Sequence, residues 1–138
     1  MFSELRRKIV ECFPIKPAVR YKLSQAIIED DYGDESKAFE ENWSTWDQIE
    51  DWQVARCDVL FSYAPTNVIE YLIPRYMLFF LDEIENKIPD EAYKKTSDSS
   101  GESAVHYLQS KKDVHYKRSG FNELQLEVIE LFLNAVNK

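Results

Sequence analysis

Apolar residues in this chain gather into a few dense runs. The densest is PTNVIEYLIPRYMLFFLDEIENKI, Pro65 to Ile88. A proline and two capping-type residues, Thr66 and Asn67, lead into it, and Asp82, Glu83, Glu85 and Lys87 close it. In its second half, Tyr76, Met77, Phe79, Phe80, Leu81 and Ile84 occupy most of a helical circumference. That pattern predicts a central helix buried on several sides. Pro74 has no N–H for the carbonyl of Glu70, and its ring crowds that carbonyl. The run therefore predicts a kinked helix or a broken pair, Asn67–Ile73 and Pro74–Asn86.

Other elements follow from the same periodicity. Leu5, Ile9, Val10 and Phe13 predict a first helix over Ser3–Cys12, capped by Ser3 and ended by Phe13-Pro14. Val19, Leu23, Ala26 and Ile27 predict a second, Ala18–Glu29. Asp30-Asp31-Tyr32-Gly33 is a turn, after which Asp34 or Ser36 caps a short helix through Asn42. Asp51 is expected to cap another, with Trp52, Ala55 and Val59 along one side, and Ser62 to Pro65 to form a loop. KKTSDSSGE, Lys94–Glu102, is the one low-complexity polar stretch and is expected to be a mobile loop, followed by at most a short helix at Ser103–Gln109. The last helix is the best specified. Asn122 and Gln125 form a capping box and Phe121 and Leu126 a hydrophobic staple. Its face is Leu124, Val128, Leu131, Phe132, Ala135 and Val136, with Ile129 and Leu133 beside it.

These elements predict one all-α domain over the 138 residues, with five or six helices around the central one. Three glycines are too few for the turns of an all-β fold. Room is left for a two-stranded ribbon near Lys22–Ile28 or Asp113–Tyr116. Val68–Leu81 contains Glu70, Pro74 and Arg75 and is shorter than the roughly 20 apolar residues of a membrane span, so no membrane contact is expected. Cys12 and Cys57 form no CxxC pair and MFSELRRKIVECF is no secretory leader, which points to reduced thiols in the cytoplasm.

Charge changes the picture by its placement. Between Glu29 and Asp58 stand 11 acids against Lys37 and Arg56, a net of −9, whereas the whole chain carries −8. Such a segment repels nucleic acid and favours a basic protein partner. The small basic patch of Lys111, Lys112, Lys117 and Arg118 does not reverse that balance. Trp43, Trp46 and Trp52 lie inside the acidic segment. Tryptophans at this spacing more often pack into a core, but one facing outward would be an interface hot spot with an acidic rim.

Catalytic signatures are weak throughout. His106 and His115 are nine apart with Asp113 between, a spacing that matches no zinc motif. IIEDDYGDES fails as a calcium loop, because counting back from Gly33 puts Ile28 at the first ligand position. Glu40 and Glu41 could gather an ion with Asp30 or Asp34 only through the tertiary fold. Ser62, Ser103 and Ser119 lie in no GxSxG elbow, and neither cysteine has a recognisable base. No metal, cofactor or catalytic residue is assigned.

Trp43 and the run to Ile49, YLIPRYMLFFL at Tyr71–Leu81 and FNELQLEVIELFL at Phe121–Leu133 together resemble an uncharacterised bacterial family. Its members share a W-x-x-I/L element, a YLPAYLL-like helix with an internal proline and a closing Q-x-x-x-I-x-x-FL helix. Here an extra Ile73 stands between Leu72 and Pro74. The resemblance spans about Asp34 to Val136 and implies a small, mainly helical bacterial protein of unknown function. It supplies no catalytic residue, because the matching positions are mostly apolar.

The residues therefore point first to a non-enzymatic interaction module. Asp30, Asp31, Asp34 and Glu35 with Trp43, Trp46 and Trp52 would dock a basic partner, and an immunity or antitoxin-like role suits such a surface. The competing expectation is a small hydrolase or metal-dependent enzyme using Asp30, Asp31, Asp34 or His106.

Overall fold

The computed structural model describes residues 1–17, 21–94, 99–112 and 119–137, apart from the side chain of residue 37. It is all-α. Seven α-helices are seen among the described residues, one or two more than the periodicity predicts: α1 (Ser3–Cys12), α2 (Leu23–Asp30), α3 (Asp51–Arg56), α4 (Leu60–Tyr63), α5 (Thr66–Ile84), α6 (Ser100–Lys112) and α7 (Glu123–Val136). Three 3-10 turns lie among the same residues, at Glu35–Lys37, Trp46–Gln48 and Asp90–Tyr93. Lys22–Ile28 is not a strand, since α2 occupies most of it. The other ribbon candidate, 113–116, and residues Val19, His115, Lys117 and Arg118 lie outside the described residues.

α5 is the axis of the fold. Leu72, Ile73, Tyr76, Met77, Phe79 and Leu81 are fully buried along it, and the helix runs unbroken through Pro74. The expected broken pair is thereby corrected. A proline removes one helical hydrogen bond, and burial of its neighbours on several sides outweighs that loss. The helix stops at Asn86, whose φ is +59. Lys87 N–H reaches the Asp82 carbonyl at 2.8 Å and Asn86 N–H that of Glu83 at 3.1 Å, satisfying two of the end carbonyls.

α6 lies along α5, α1 packs on both α5 and α7, and α7 also meets α6. α1 keeps its predicted bounds, but Ser3 is not its cap: Phe2 holds that position with no side-chain bond. α7 opens as its sequence requires. Asn122 Oδ1 accepts from Gln125 N–H at 2.8 Å and Gln125 Oε1 accepts from Asn122 N–H at 3.0 Å. Its buried side is Val128, Ile129, Phe132 and Leu133, which leaves Leu124 and Leu131 exposed.

α6 is the largest surprise. It begins at Ser100, inside the stretch expected to be a loop, and extends to Lys112 rather than being a fragment. Its buried seam is Ser100, Gly101, Ala104 and Leu108, mostly small residues that let α6 come close to α5. Glu83 of α5 holds the start of α6. It accepts from Ser99 Oγ at 3.1 Å and Tyr93 hydroxyl at 2.9 Å, and from the Gly101 backbone. Ser99 Oγ in turn accepts from Glu102 N–H at 3.2 Å.

Burial pushes the Glu83 carboxyl above its usual value, against the opposing pull of the Tyr93 and Ser99 hydrogen bonds. The folded chain then holds this proton more tightly than the unfolded chain. Its contribution favours the fold below the unfolded carboxylate value of about 4.3 and is lost as pH rises through the higher folded value. Glu83→Gln should therefore gain stability relative to the native chain as pH rises from about 4 to 7. Urea midpoints across that range check this, and a difference independent of pH would count against it.

Candidate functional site

The acidic segment does not form one surface. Glu41 turns inward to the start of α2, accepting from Leu23 N–H at 2.6 Å, Ser24 N–H at 3.1 Å and Ser24 Oγ at 2.9 Å. A carboxylate there satisfies N-terminal donors and complements the helix dipole. Glu41 also receives the Trp43 indole N–H at 3.0 Å. This explains why no helix runs on to Asn42: residues after the Glu35–Lys37 turn are drawn across to cap α2. Asp51, expected as the cap of α3, is its first residue, with Glu50 in the cap position and donating its N–H to Gln53 Oε1 at 3.0 Å. The Asp51 carboxylate pairs with Arg75 at 2.7 Å.

The tryptophans separate as well. Trp46 is 1% exposed, donates its indole N–H to the Pro14 carbonyl at 3.2 Å and gives its backbone N–H to the Tyr71 hydroxyl at 3.1 Å. It is core and is not available to a partner, which corrects its place in the predicted interface. Trp43 is half-buried at the N-terminal end of α2, a helix of eight residues and so about 12 Å long. Trp52 is half-buried on α3, edge-on to Phe39 and under the Arg56 guanidinium.

What remains together is the corner at the C-terminal end of α2. Glu29 and Asp30 are in its last turn, Asp31 is its cap residue, and Asp34 and Glu35 follow at once. Asp34 accepts from Ser36 N–H at 3.0 Å, starting the 3-10 turn as predicted. No basic residue stands in the last turn of α2. Carboxylates at that end oppose the helix dipole, each costing roughly 0.3–1 kcal/mol where exposed. Four of the five, all but the half-buried Asp31, are exposed.

The tip of this corner was not legible as a site. Tyr32 adopts φ +55 and is 101% exposed, and Gly33 follows at φ +83. Gly33 N–H closes on the Ile28 carbonyl at 2.8 Å, so Tyr32 occupies the left-handed position that normally ends a helix with glycine. An L-residue there costs roughly 1–2 kcal/mol. Tyr63 flanks it, its hydroxyl hydrogen-bonded to Asp30, which pushes the phenol upward. The signal available in sequence was an aromatic next to glycine in an otherwise acidic turn.

Elsewhere the candidate chemistry disperses. His106 is exposed on α6, and among the described residues no three His, Cys, Asp or Glu side chains are placed to hold a metal ion. Cys57 is fully buried, donates its thiol to the Leu23 carbonyl at 3.1 Å and is pushed well up by burial, so its thiolate is disfavoured. No helix among the described residues is long and apolar enough to cross a membrane.

A family model described as a family of unknown function, DUF6714, matches residues 1–138. The chain belongs to that family. No curated protein and no solved structure matches this DUF6714 chain significantly. Of the stretches quoted above for the resemblance, Tyr71–Leu81 is mostly buried in α5, and Phe121–Leu133 sends Val128, Ile129, Phe132 and Leu133 into the core.

Proposed function

We propose that this DUF6714 protein is a non-enzymatic interaction module that docks a basic protein through the corner at Glu29–Glu35, in a bacterial cytoplasm, as an immunity or antitoxin-like protein does. One observation carries this. Three carboxylates and a fully exposed tyrosine occupy a helix end where opposite charge and glycine would each be more stable. Stability given up at an exposed position is the usual mark of a surface kept for binding. Tyrosine is among the residues that dominate interface energetics, and an acidic rim steers a basic partner. The interface is narrower than the whole acidic segment, because Glu41 and Asp51 serve the fold. Trp43 stands at the other end of α2, about 12 Å from the corner. The enzyme alternative rests on Asp30, Asp31, Asp34 or His106, which the fold divides between the α2 corner and α6.

Stability and partner association should separate. Reversing Asp30, Asp31, Asp34 and Glu35 to lysine is expected to change stability by no more than about 1 kcal/mol, because relief of the helix-end charges offsets the lost Asp34 cap on Ser36 N–H and the lost Asp30 bond to the Tyr63 hydroxyl. Tyr32→Gly should add about 1 kcal/mol. Both changes should slow or abolish partner association, the charge effect shrinking as salt shortens the screening length below about 8 Å. Urea melts and surface-plasmon kinetics read the two quantities separately. Loss of stability in both variants would show that the corner serves the fold. The neighbouring gene adds a discriminating observation: an adjacent basic toxin-like product supports the immunity role, and isolation among metabolic genes opposes it.

A further inference from the structure

A groove of about 570 Å³ opens between α3, the Arg75 turn of α5 and the 3-10 turn at Asp90–Tyr93. Trp52, Arg56 and Arg75 line it, with Glu50, Asp51, Glu91 and Lys94 as its other charged residues. Most of these charges are accounted for. Arg75 donates its Nε–H to the Ile49 carbonyl at 2.9 Å and its Nη2 to Asp51 at 2.7 Å, so that pair is internally neutral. Glu50 and Glu91 are exposed to water.

Arg56 is different. Its guanidinium carbon stands 4.8 Å from the Trp52 ring centroid, and its Nε is buried with no hydrogen-bond partner. An unmet buried donor costs about 1–3 kcal/mol, more for a charged group, and such groups in folded chains call for an explanation. In a segment of net −9, an arginine with that donor unmet is the reverse of what random placement gives. A guanidinium over an indole face presents a fork of N–H donors that matches the two oxygens of a carboxylate or phosphate.

We infer that this groove binds a small oxyanion, a carboxylate or a phosphate group, clamped by Arg56 against Trp52. Binding turns the half-buried side chain enough to bring Nε–H and one Nη–H onto the ligand oxygens, which satisfies the donor left unmet without it. Arg75 stays with Asp51 and shapes the floor, and Glu91 opposes the ligand's charge from the rim. This site stands independently of the partner reading, since Asp30, Asp31, Asp34 and Glu35 take no part in it.

The test uses the full chain and four probes, sodium acetate, benzoate, inorganic phosphate and phenyl phosphate, each titrated against chloride at constant ionic strength. The ¹H–¹⁵N resonances of the Arg56 Nε–H and Trp52 indole N–H report binding. Both should shift together and saturate with a Kd of about 1 mM, as expected of one charge-assisted clamp. Arg56→Lys, which keeps the charge and loses the fork, should weaken the Trp52 response at least about tenfold. Glu91→Gln should tighten binding roughly twofold to threefold, a gain that structural damage cannot mimic. Saturation by the phosphates alone assigns a phosphoryl ligand, and by the carboxylates alone a carboxylate. The inference is overturned if no probe saturates either resonance by roughly 50 mM. Equal affinity in Arg56→Lys would overturn it too.

Discussion

Replacing Trp46 by alanine is expected to cost the fold about 3–5 kcal/mol, whereas the same change at Trp43 should cost about 1–2 kcal/mol. Trp46 is fully enclosed, and its loss leaves both a cavity and an unmet Pro14 carbonyl where the indole N–H donated. It also sits where the segment after Phe13 meets α5, through the Tyr71 hydroxyl that accepts from its backbone and donates to the Lys16 carbonyl at 2.5 Å. Removing the ring therefore loosens the seam that ties the N-terminal strap to the central helix. Trp43 keeps one side in water and one bond to Glu41. Its loss should be felt mainly as a less firmly held cap on α2. Urea unfolding of the two variants separates the roles, and equal costs would contradict the placement of Trp46 in the core.

Gly101→Ala should destabilise by at least about 2 kcal/mol, although alanine gains up to about 1 kcal/mol over glycine inside a helix. A Cβ at this position would come within 2.8 Å of Phe80 Cβ and would also run into the Glu83 carboxylate and the Phe80 ring. The glutamate can swing aside, but only by giving up the hydrogen bonds that hold the start of α6. The Phe80 Cβ is fixed to the backbone of α5 and cannot. Phe80→Ala should therefore fail to rescue Gly101→Ala, because it removes the ring and keeps the Cβ. Full rescue would mean that the two helices separate more easily than this packing requires.

These two positions also show what the sequence could and could not disclose. α1 and α7 were legible to within a residue, since their signals are local: a proline after Phe13, a capping box at Asn122 and Gln125. α5 was legible as an element because its apolar run is too dense to be anything else, but its continuity through Pro74 depends on packing around it. α6 escaped because small residues make its seam. Gly101 and Ala104 give no apolar rhythm, and Ser99 and Ser100 look like loop. The helix expected through Asn42 gave way to a tertiary demand, the capping of α2 by Glu41. Of the predicted site, the four acids Asp30, Asp31, Asp34 and Glu35 do lie together at one helix end. Trp46 went to the core and Trp52 to a different groove. Tyr32 was missed, since its exposure and left-handed backbone are properties of the folded turn. Arg75, set in the apolar run, served in sequence only to exclude a membrane span, although a charge in that place had to be buried and paired.

The central claim, that the α2 corner docks a basic protein, is tested most directly by affinity capture from the native host with quantitative mass spectrometry. The native chain is compared with the Asp30, Asp31, Asp34 and Glu35 to lysine variant, with urea melts showing that both are folded. The account predicts one strongly basic protein held by the native chain at low salt. That protein should be released as salt rises and absent from the charge-reversed chain, even though the variant remains folded. Equal retention by both folded chains would contradict it.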